Sequence, residues 1–189
     1  MGDGCIYNRK QGNYQKMIDI VIHKNDSEIL DMFKEEIKTE KLYFISKDNI
    51  ATLQIVSDRL CDNLISHNIL PRKNNNPQPP KNIPDEFKSH FIRALFDSDG
   101  CIYKGGDRLC DYEFQFCGSK EIVSYFQSFL KDYDINLKIY QDKRKNKYNN
   151  SHYYIRTQVI SDLQLIRKLI YDNSQDFKLK RKRKLFDIF

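Results

Sequence analysis

The sequence predicts an α+β protein made of two related halves. A five-residue word occurs twice, the apolar residues after each copy have the spacing of one helical face, and several segments alternate apolar and polar residues. The chain of 189 residues is long enough for one large domain or for two small ones. The internal repeat favours two small domains over one large domain.

The repeated word DGCIY stands at residues 3–7 and again at residues 99–103. Apolar positions that fit one helical face follow both copies, which predicts a helix in each half. These positions are Ile29, Leu30, Phe33 and Ile37 in the first half and Ile122, Val123, Phe126 and Leu130 in the second. A Ser-Asp pair then opens a further helix in each half, which we expect at residues 58–68 and 162–171.

Alternation of apolar and polar residues predicts strands that bury one face. The apolar sets are Tyr112, Phe114 and Phe116, then Tyr153, Ile155 and Thr157, and in the first half Ile18, Ile20 and Ile22, then Leu53 and Ile55. Each half therefore consists of strand, strand, helix, strand, strand and helix, and each sheet keeps one polar face. Extra polar residues at 143–151 predict a long hairpin tip in the second half.

A stretch without apolar periodicity, residues 74–84, contains Asn and Pro and predicts a linker. It separates an N-terminal half at residues 1–73 from a C-terminal half at residues 85–189. Pro84 ends this linker and precedes a helix predicted at residues 85–99.

The composition suits a polyanionic partner, because the formal net charge is +6 and the pI is near 8.9. The five cysteines show no CxxC spacing, which argues against a disulfide framework and against a zinc site. The four histidines likewise lack the spacing of metal ligands. With no secretory signal and no membrane-length apolar stretch, we expect a soluble intracellular protein, cytoplasmic or organellar and not secreted.

The end of the predicted helix and the glycine after it, residues 92–100, read IRALFDSDG. This run resembles the motif of the LAGLIDADG (DOD-type) homing endonuclease family in its two-motif form. Ala94 and Ser98 stand at the third and seventh motif positions, where two such helices cross closely. Asp99 stands at the eighth.

The sequence departs from the motif at Arg93 and Phe96, which replace a small and an aliphatic residue. A larger departure is at the start, where residues 1–4 align with residues 97–100, so the body of the first motif helix is missing from the sequence. The apolar residues of the second motif helix that would then lack a partner are Ile92, Leu95 and Phe96. We therefore expect a truncated first motif and weak or no cleavage by this chain alone. A complete chain is expected to be a monomer, and a truncated chain is expected to form dimers.

The resemblance implies two αββαββα halves related by a pseudo-twofold axis, with two antiparallel sheets forming a DNA-binding saddle. It implies an endonuclease that makes Mg²⁺-dependent double-strand cuts in DNA at a long site, with Asp3 and Asp99 as metal ligands and catalytic residues. An Asp at a helix carboxyl end faces the negative end of the helix dipole, which costs up to about 1 kcal/mol unless a cation offsets it. Gly100 is expected to end that helix in a left-handed conformation.

The family commonly places a Lys from each half near the metals, where it stabilises charge on the phosphate. Lys73 and Lys182 follow the second helix of each half and are the candidates here. Lys182 lies in the basic run at residues 178–184, where Lys178 or Lys180 would serve as well. A solvated or phosphate-contacting tail is an equal alternative for that run.

Side chains on the polar sheet faces would contact DNA, because an antiparallel sheet fits the major groove and Gln and Arg read base edges. The candidates are Thr52, Gln54, Gln115, Lys138, Tyr140, Lys143, Arg144, Arg156 and Gln158, with Glu113 on the same face. The basic residues of the hairpin tip would contact phosphates. Without the resemblance, the same pattern describes an ordinary solvated sheet face.

Other functions of the same fold are an RNA maturase, a DNA-binding protein without cleavage, and a cleavage-inactive fragment. A purely structural protein would leave the duplicated Asp-Gly unexplained. The DNA target and the host element, an intron, an intein or a free-standing gene, stay open.

Overall fold

The computed structural model describes most of the chain, in six segments. These are residues 3–8, 15–71, 77–104, 112–145, 151–174 and 177–189. The chain divides into a first unit, Met1–Asn82, and a second unit, Ile83–Phe189. The boundary between the units falls inside residues 74–84, the predicted linker. The assignment of each unit to one LAGLIDADG half stays a prediction.

The first unit contains a four-stranded antiparallel sheet with the strand order β1-β2-β4-β3. Its elements are β1 (Gly4–Asn8), β2 (Lys16–His23), a 3₁₀ turn (Lys24–Asp26), α1 (Glu28–Glu36), β3 (Phe44–Ile45), β4 (Ile50–Val56) and α2 (Asp58–Ser66). Two apolar clusters fill the space between sheet and helices. One joins Leu30 of α1 to Ala51, Leu53 and Ile55 of β4, and the other includes Cys61 of α2.

The second unit repeats this order behind a long helix, and its sheet has the strand order β5-β6-β8-β7. Its elements are α3 (Asp85–Asp99), β5 (Gly100–Lys104), β6 (Tyr112–Gly118), α4 (Lys120–Lys131), β7 (Tyr140–Lys145), β8 (Ser151–Thr157), α5 (Ile160–Tyr171) and α6 (Lys180–Lys184). The predicted α+β class is confirmed, with two four-stranded antiparallel sheets.

An aromatic cluster forms the core of the second unit. Phe96 of α3 stacks on Phe114 of β6 with ring centroids 5.2 Å apart, and it contacts Phe186 near the end of the chain at 5.5 Å. Phe126 of α4 packs on Phe116 of β6 at 4.3 Å. Helices, sheet and C-terminal segment of this unit therefore share one core.

Two local predictions need correction. The helix α2 ends at Ser66, because Asn68 has a positive φ of 70° and the amide of Ile69 folds back to the carbonyl of Leu64. The predicted hairpin tip is also shorter than residues 143–151, since β7 continues to Lys145. Backbone pairing along an edge strand does not require apolar periodicity. The extension of β7 to Lys145 was therefore not predictable from the polar sequence.

In the described part of the chain, no helix has the length and apolar character needed to cross a membrane.

Candidate active site and nucleic-acid interface

Asp99 is the last residue of α3 and its side chain is exposed. The carboxylate oxygen Oδ2 accepts a hydrogen bond from the Ser98 hydroxyl at 3.2 Å. The strand β5 begins at the next residue, so Asp99 is fixed at the junction of two regular elements. Its carboxylate remains open to a ligand from solvent.

Lys182 of α6 supplies a cation at this helix end. Its ammonium group donates to the carbonyl oxygens of Phe96 at 3.0 Å, Ser98 at 3.4 Å and Gly100 at 2.6 Å. An ammonium group has three N–H donors, so these contacts use all of them. The Phe96 carbonyl also accepts the backbone N–H of Gly100, so Lys182 adds a second donor to the last closed turn of α3. Lys182 therefore offsets the negative end of the helix dipole beside Asp99.

Lys182 is only 6% exposed, which is rare for a lysine. Burial, followed by the neighbouring charge of Arg181, lowers the pKa of Lys182, while Asp97 and Asp99 raise it. In this arrangement the ammonium group binds backbone carbonyls of the motif. The geometry gives it a positioning role at the end of α3, and a catalytic role for it stays a prediction.

Two buried side chains of α3 attach the segment that leads to Lys182. The guanidinium of Arg93 donates to the carbonyl oxygens of Phe177 at 2.8 Å and Ile170 at 3.2 Å. One turn later, the carboxylate of Asp97 accepts hydrogen bonds from the Tyr171 hydroxyl at 2.5 Å and the backbone amide of residue 179 at 3.0 Å. The C-terminal segment, residues 177–189, is thus hydrogen-bonded to successive turns of α3 before Lys182 reaches the helix end.

This attachment is not among the sequence predictions, in which Arg93 is only a departure from the motif. A signal was available in the spacing. Arg93 and Asp97 stand four residues apart, so both lie on one helical face, and their neighbours Ile92 and Phe96 are apolar. Opposite charges on a buried face usually have specific partners.

The prediction for Gly100 is wrong, because this glycine has an extended conformation with φ −90° and ψ 161°. Space explains why a glycine stands here. A Cβ at this position would come within 2.1 Å of Cδ2 of the Phe96 ring. The glycine therefore permits close packing of the helix end on β5 and does not provide a left-handed turn.

The prediction that Ile92, Leu95 and Phe96 lack a partner is also wrong, because all three are buried. Phe96 is fully buried and stacks within its own unit. Its large ring fills the space that the glycine leaves open. On the other side of α3, Phe87 and Ala94 are exposed, and the predicted close crossing of two helices at Ala94 and Ser98 stays a prediction.

The remaining predicted catalytic residues are less well defined. Asp3 is exposed, and its backbone carbonyl accepts a hydrogen bond from the amide of Val21 at 3.0 Å. Lys73 lies outside the described residues. Within the six described segments, no group of three or more His, Cys, Asp or Glu side chains could hold a metal ion. An exposed carboxylate such as Asp99 has the hard oxygen donors that Mg²⁺ prefers, but it needs further ligands, such as phosphate oxygens.

The open face of the second unit's sheet carries a hydrogen-bonded group centred on Glu113. The carboxylate of this buried residue accepts hydrogen bonds from the Tyr103 hydroxyl, from Nη1 of Arg156 at 3.5 Å and from Nε2 of Gln158 at 2.9 Å. The Tyr103 hydroxyl also lies 3.2 Å from Oε1 of Gln115. Burial, followed by Glu113, raises the pKa of Tyr103 to about 12. Three of the predicted DNA-contacting side chains therefore belong to one network.

Arg156 also contacts two aromatic rings. Its guanidinium lies 5.4 Å from the ring centroid of Tyr140 and 5.9 Å from that of Tyr154, and the two rings stack on each other. These contacts limit the rotamers open to a long side chain. Lys138 is exposed before the start of β7, whereas the side chains of Lys143 and Arg144 lie outside the described residues.

The open face of the first unit's sheet is more apolar. Gln54 is exposed there, as predicted. Thr52 is a correction, because it is only 8% exposed between its strand partners Val21 and Phe44. It has little surface left for a base to contact, whereas Val21 and Phe44 are themselves exposed.

Comparisons with known proteins identify the second unit. Residues 86–173 match the family model of the LAGLIDADG-like domain. The second unit belongs to the LAGLIDADG family. A comparison with curated proteins finds no sequence match.

Solved LAGLIDADG proteins have the same fold as the chain. The meganuclease I-AabMI, bound to uncleaved DNA, matches with a TM-score of 0.58 and 18% identity over 98% of this chain and 84% of that one. I-CpaMI, also bound to uncleaved DNA, matches with a TM-score of 0.63 and 12% identity over 98% and 85%. Variants of the homing endonuclease I-DmoI match with a TM-score of 0.60 and 13% identity over 91% and 90%. The resemblance drawn from the sequence is thereby confirmed, and the likeness extends to the fold of the whole chain.

Proposed function

We propose that the chain is a homing endonuclease that binds double-stranded DNA and makes Mg²⁺-dependent double-strand cuts at a long recognition site. The observation that carries this proposal is the end of α3. There an exposed Asp99 carboxylate stands at the motif's eighth position while Lys182 binds three carbonyls of the same turn. This arrangement holds an exposed carboxylate on a fixed helix end, where a metal ion can reach it.

The proposal assigns Mg²⁺ to Asp99 and, from its repeated place in the sequence, to Asp3. When bound, the metal supplies an activated water and charge stabilisation on the phosphate. Lys182 holds the backbone on both sides of Asp99, which keeps the carboxylate in one place. Lys73 is retained as the candidate lysine of the first unit.

DNA contacts are proposed for the open faces of both sheets. Gln54 in the first unit and Gln115, Arg156 and Gln158 in the second present hydrogen-bonding groups of the kind that read base edges in the major groove. Tyr140 supports Arg156 by stacking. Lys138, Lys143 and Arg144 are proposed phosphate contacts, and the net charge of +6 is consistent with them. The similar meganucleases were solved bound to DNA.

Selection from a randomised duplex library tests the binding part of the proposal. The chain is expected to enrich a defined set of sequences, and Gln54→Ala is expected to relax the preference at one or two positions. Thr52→Ser is a matched control on the same strand, which should leave the preferences unchanged because Thr52 is buried. Preference for structured RNA over duplex DNA would favour the maturase alternative, and absence of any sequence enrichment would contradict the proposal.

A further inference from the structure

An acidic side chain stands in the middle of a surface that is proposed to contact a polyanion. Glu113 of β6 is 5% exposed and lies on the open face of the second unit's sheet, opposite Tyr103 in the register of β5 and β6. A carboxylate in that place would repel phosphates if its only role were to cover the sheet. Its contacts indicate a different role.

Both carboxylate oxygens of Glu113 are engaged by side chains from neighbouring strands. Oε1 accepts from Tyr103 and from Arg156, and Oε2 accepts from the amide of Gln158 at 2.9 Å. These three donors come from β5, from β8 and from the residue just after β8. Glu113 therefore links side chains that are far apart in the sequence and could otherwise adopt many rotamers.

The contacts of Glu113 also determine which groups its neighbours present to solvent. One N–H of the Gln158 amide is directed at Glu113, so its carbonyl oxygen is turned away and can accept a hydrogen bond. Tyr103 has a single hydroxyl proton, and it is directed at Glu113. The same hydroxyl lies 3.2 Å from Oε1 of Gln115, so Tyr103 connects Gln115 to Glu113. The orientation of the Gln158 amide and the position of Gln115 are thus linked to Glu113.

Arg156 is held from two directions. Its Nη1 atom lies 3.5 Å from Oε1 of Glu113, and its guanidinium lies over the rings of Tyr140 and Tyr154. Its side chain is still 46% exposed, which leaves other N–H groups free to donate. A guanidinium with a fixed plane can bind O6 and N7 of guanine together, whereas a mobile one must first be ordered.

We propose that Glu113 is a positioning residue for base recognition, which sets the base preference at the DNA positions contacted by Arg156, Gln158 and Gln115. This inference rests on the proposed DNA binding. Glu113 contacts no base itself. Its carboxylate orients the side chains that do, and Arg156 neutralises its charge locally.

Glu113→Gln tests the proposal, because it keeps the shape but replaces one acceptor with a donor that faces other donors. Base preferences are measured by selection from a randomised duplex library for the parent, for Glu113→Gln, and for Arg156→Ala and Gln158→Ala, which locate the affected positions. Glu121→Gln, in the first turn of α4, is the matched control, since it removes the same charge from the same unit. The pair therefore separates a change of net charge from a loss of positioning.

The expected result is a loss of about fivefold or more in the preference for the favoured base in Glu113→Gln, at the positions that Arg156→Ala and Gln158→Ala identify. Glu121→Gln should keep the parental preferences. Unchanged preferences in Glu113→Gln, with a parent that selects sequences, would overturn this inference alone. A parent that selects no sequence would instead contradict the proposed function.

A second variant covers the case in which Glu113→Gln does not fold. Glu113→Asp keeps the charge but is shorter by one methylene, so it cannot reach Arg156 and Gln158 together. It should shift base preferences at the same positions while its salt dependence of binding stays parental. Parental preferences in a folded Glu113→Asp would also overturn the inference.

Discussion

The Lys182 ammonium nitrogen lies 2.6 Å from the carbonyl oxygen of Gly100, the residue that follows Asp99 at the end of α3. Arg93 and Asp97 attach the preceding segment to the same helix through Phe177 and residue 179. The motif helix and the C-terminal segment therefore form one hydrogen-bonded assembly within the second unit. Its stability should determine how well Asp99 is held.

Lys182→Met should destabilise the second unit by about 3 kcal/mol, because it removes three hydrogen bonds to backbone carbonyls and the cation at the helix end. Methionine has nearly the length of lysine, so packing is largely conserved. Lys184→Met in the exposed part of α6 is the matched control and should change stability by less than about 0.5 kcal/mol. Urea unfolding measures both, and equal midpoints for the two variants would show that the Lys182 contacts contribute little.

Gly100→Ala should be destabilising because the new methyl group would overlap the Phe96 ring, whose Cδ2 would be 2.1 Å away. A cost of about 1–3 kcal/mol is expected from overpacking. Gly118→Ala is the control, since the nearest atom there, Cγ2 of Ile122, would be 3.6 Å away. In a Phe96→Leu background, Gly100→Ala should cost less than it does in the parent, which a double-mutant cycle measures. If Gly100→Ala were as stable as Gly118→Ala in thermal unfolding, the packing explanation would fail.

The stability of the second unit should fall as the pH decreases below about 6.5. Nδ1 of His90 lies 2.8 Å from Nη2 of Arg93, and burial, followed by the charge of Arg93, lowers the pKa of His90. Below the ordinary histidine pKa the unfolded chain binds a proton that the folded chain resists, so this contribution to stability is lost as the pH falls.

His90→Gln keeps an acceptor for Arg93 but cannot titrate in this range. Unfolding free energies at about pH 7.5 and pH 5 should therefore differ less in His90→Gln than in the parent. The same pH dependence in both proteins would exclude His90 as the responsible group.

Local sequence patterns predicted much of the fold. The helix Asp85–Asp99 follows from Pro84 and its apolar spacing, and the alternation of Tyr112, Phe114 and Phe116 places β6 with the correct buried face. Such signals depend on neighbours in the chain, which the sequence contains. The resemblance to the LAGLIDADG motif then identified Asp99 as the candidate metal ligand.

The details of the site were not predictable in the same way, because they depend on residues distant in the chain. The carbonyl of Gly100 is bound by Lys182, which follows it by more than eighty residues, and no local pattern indicates that contact. Thr52 has the polarity of a surface residue, yet its strand partners Val21 and Phe44 cover it. Alternation identifies the face of a strand but not how neighbouring strands shield each side chain.

Mg²⁺-dependent cleavage by Asp99→Asn tests the central claim most directly. The sequences selected by the chain would be incubated with Mg²⁺ and either the parent, Asp99→Asn or Asp85→Asn, an exposed aspartate at the other end of α3. Each substitution is made in this chain and in a chain extended upstream by a complete first motif helix, because weak or no cutting is expected of this chain alone. Asp85→Asn should cut both strands at the rate of its own parent, and Asp99→Asn should lose cutting by about a hundredfold or more with DNA affinity retained. Cleavage by Asp99→Asn at the parental rate would contradict the central claim.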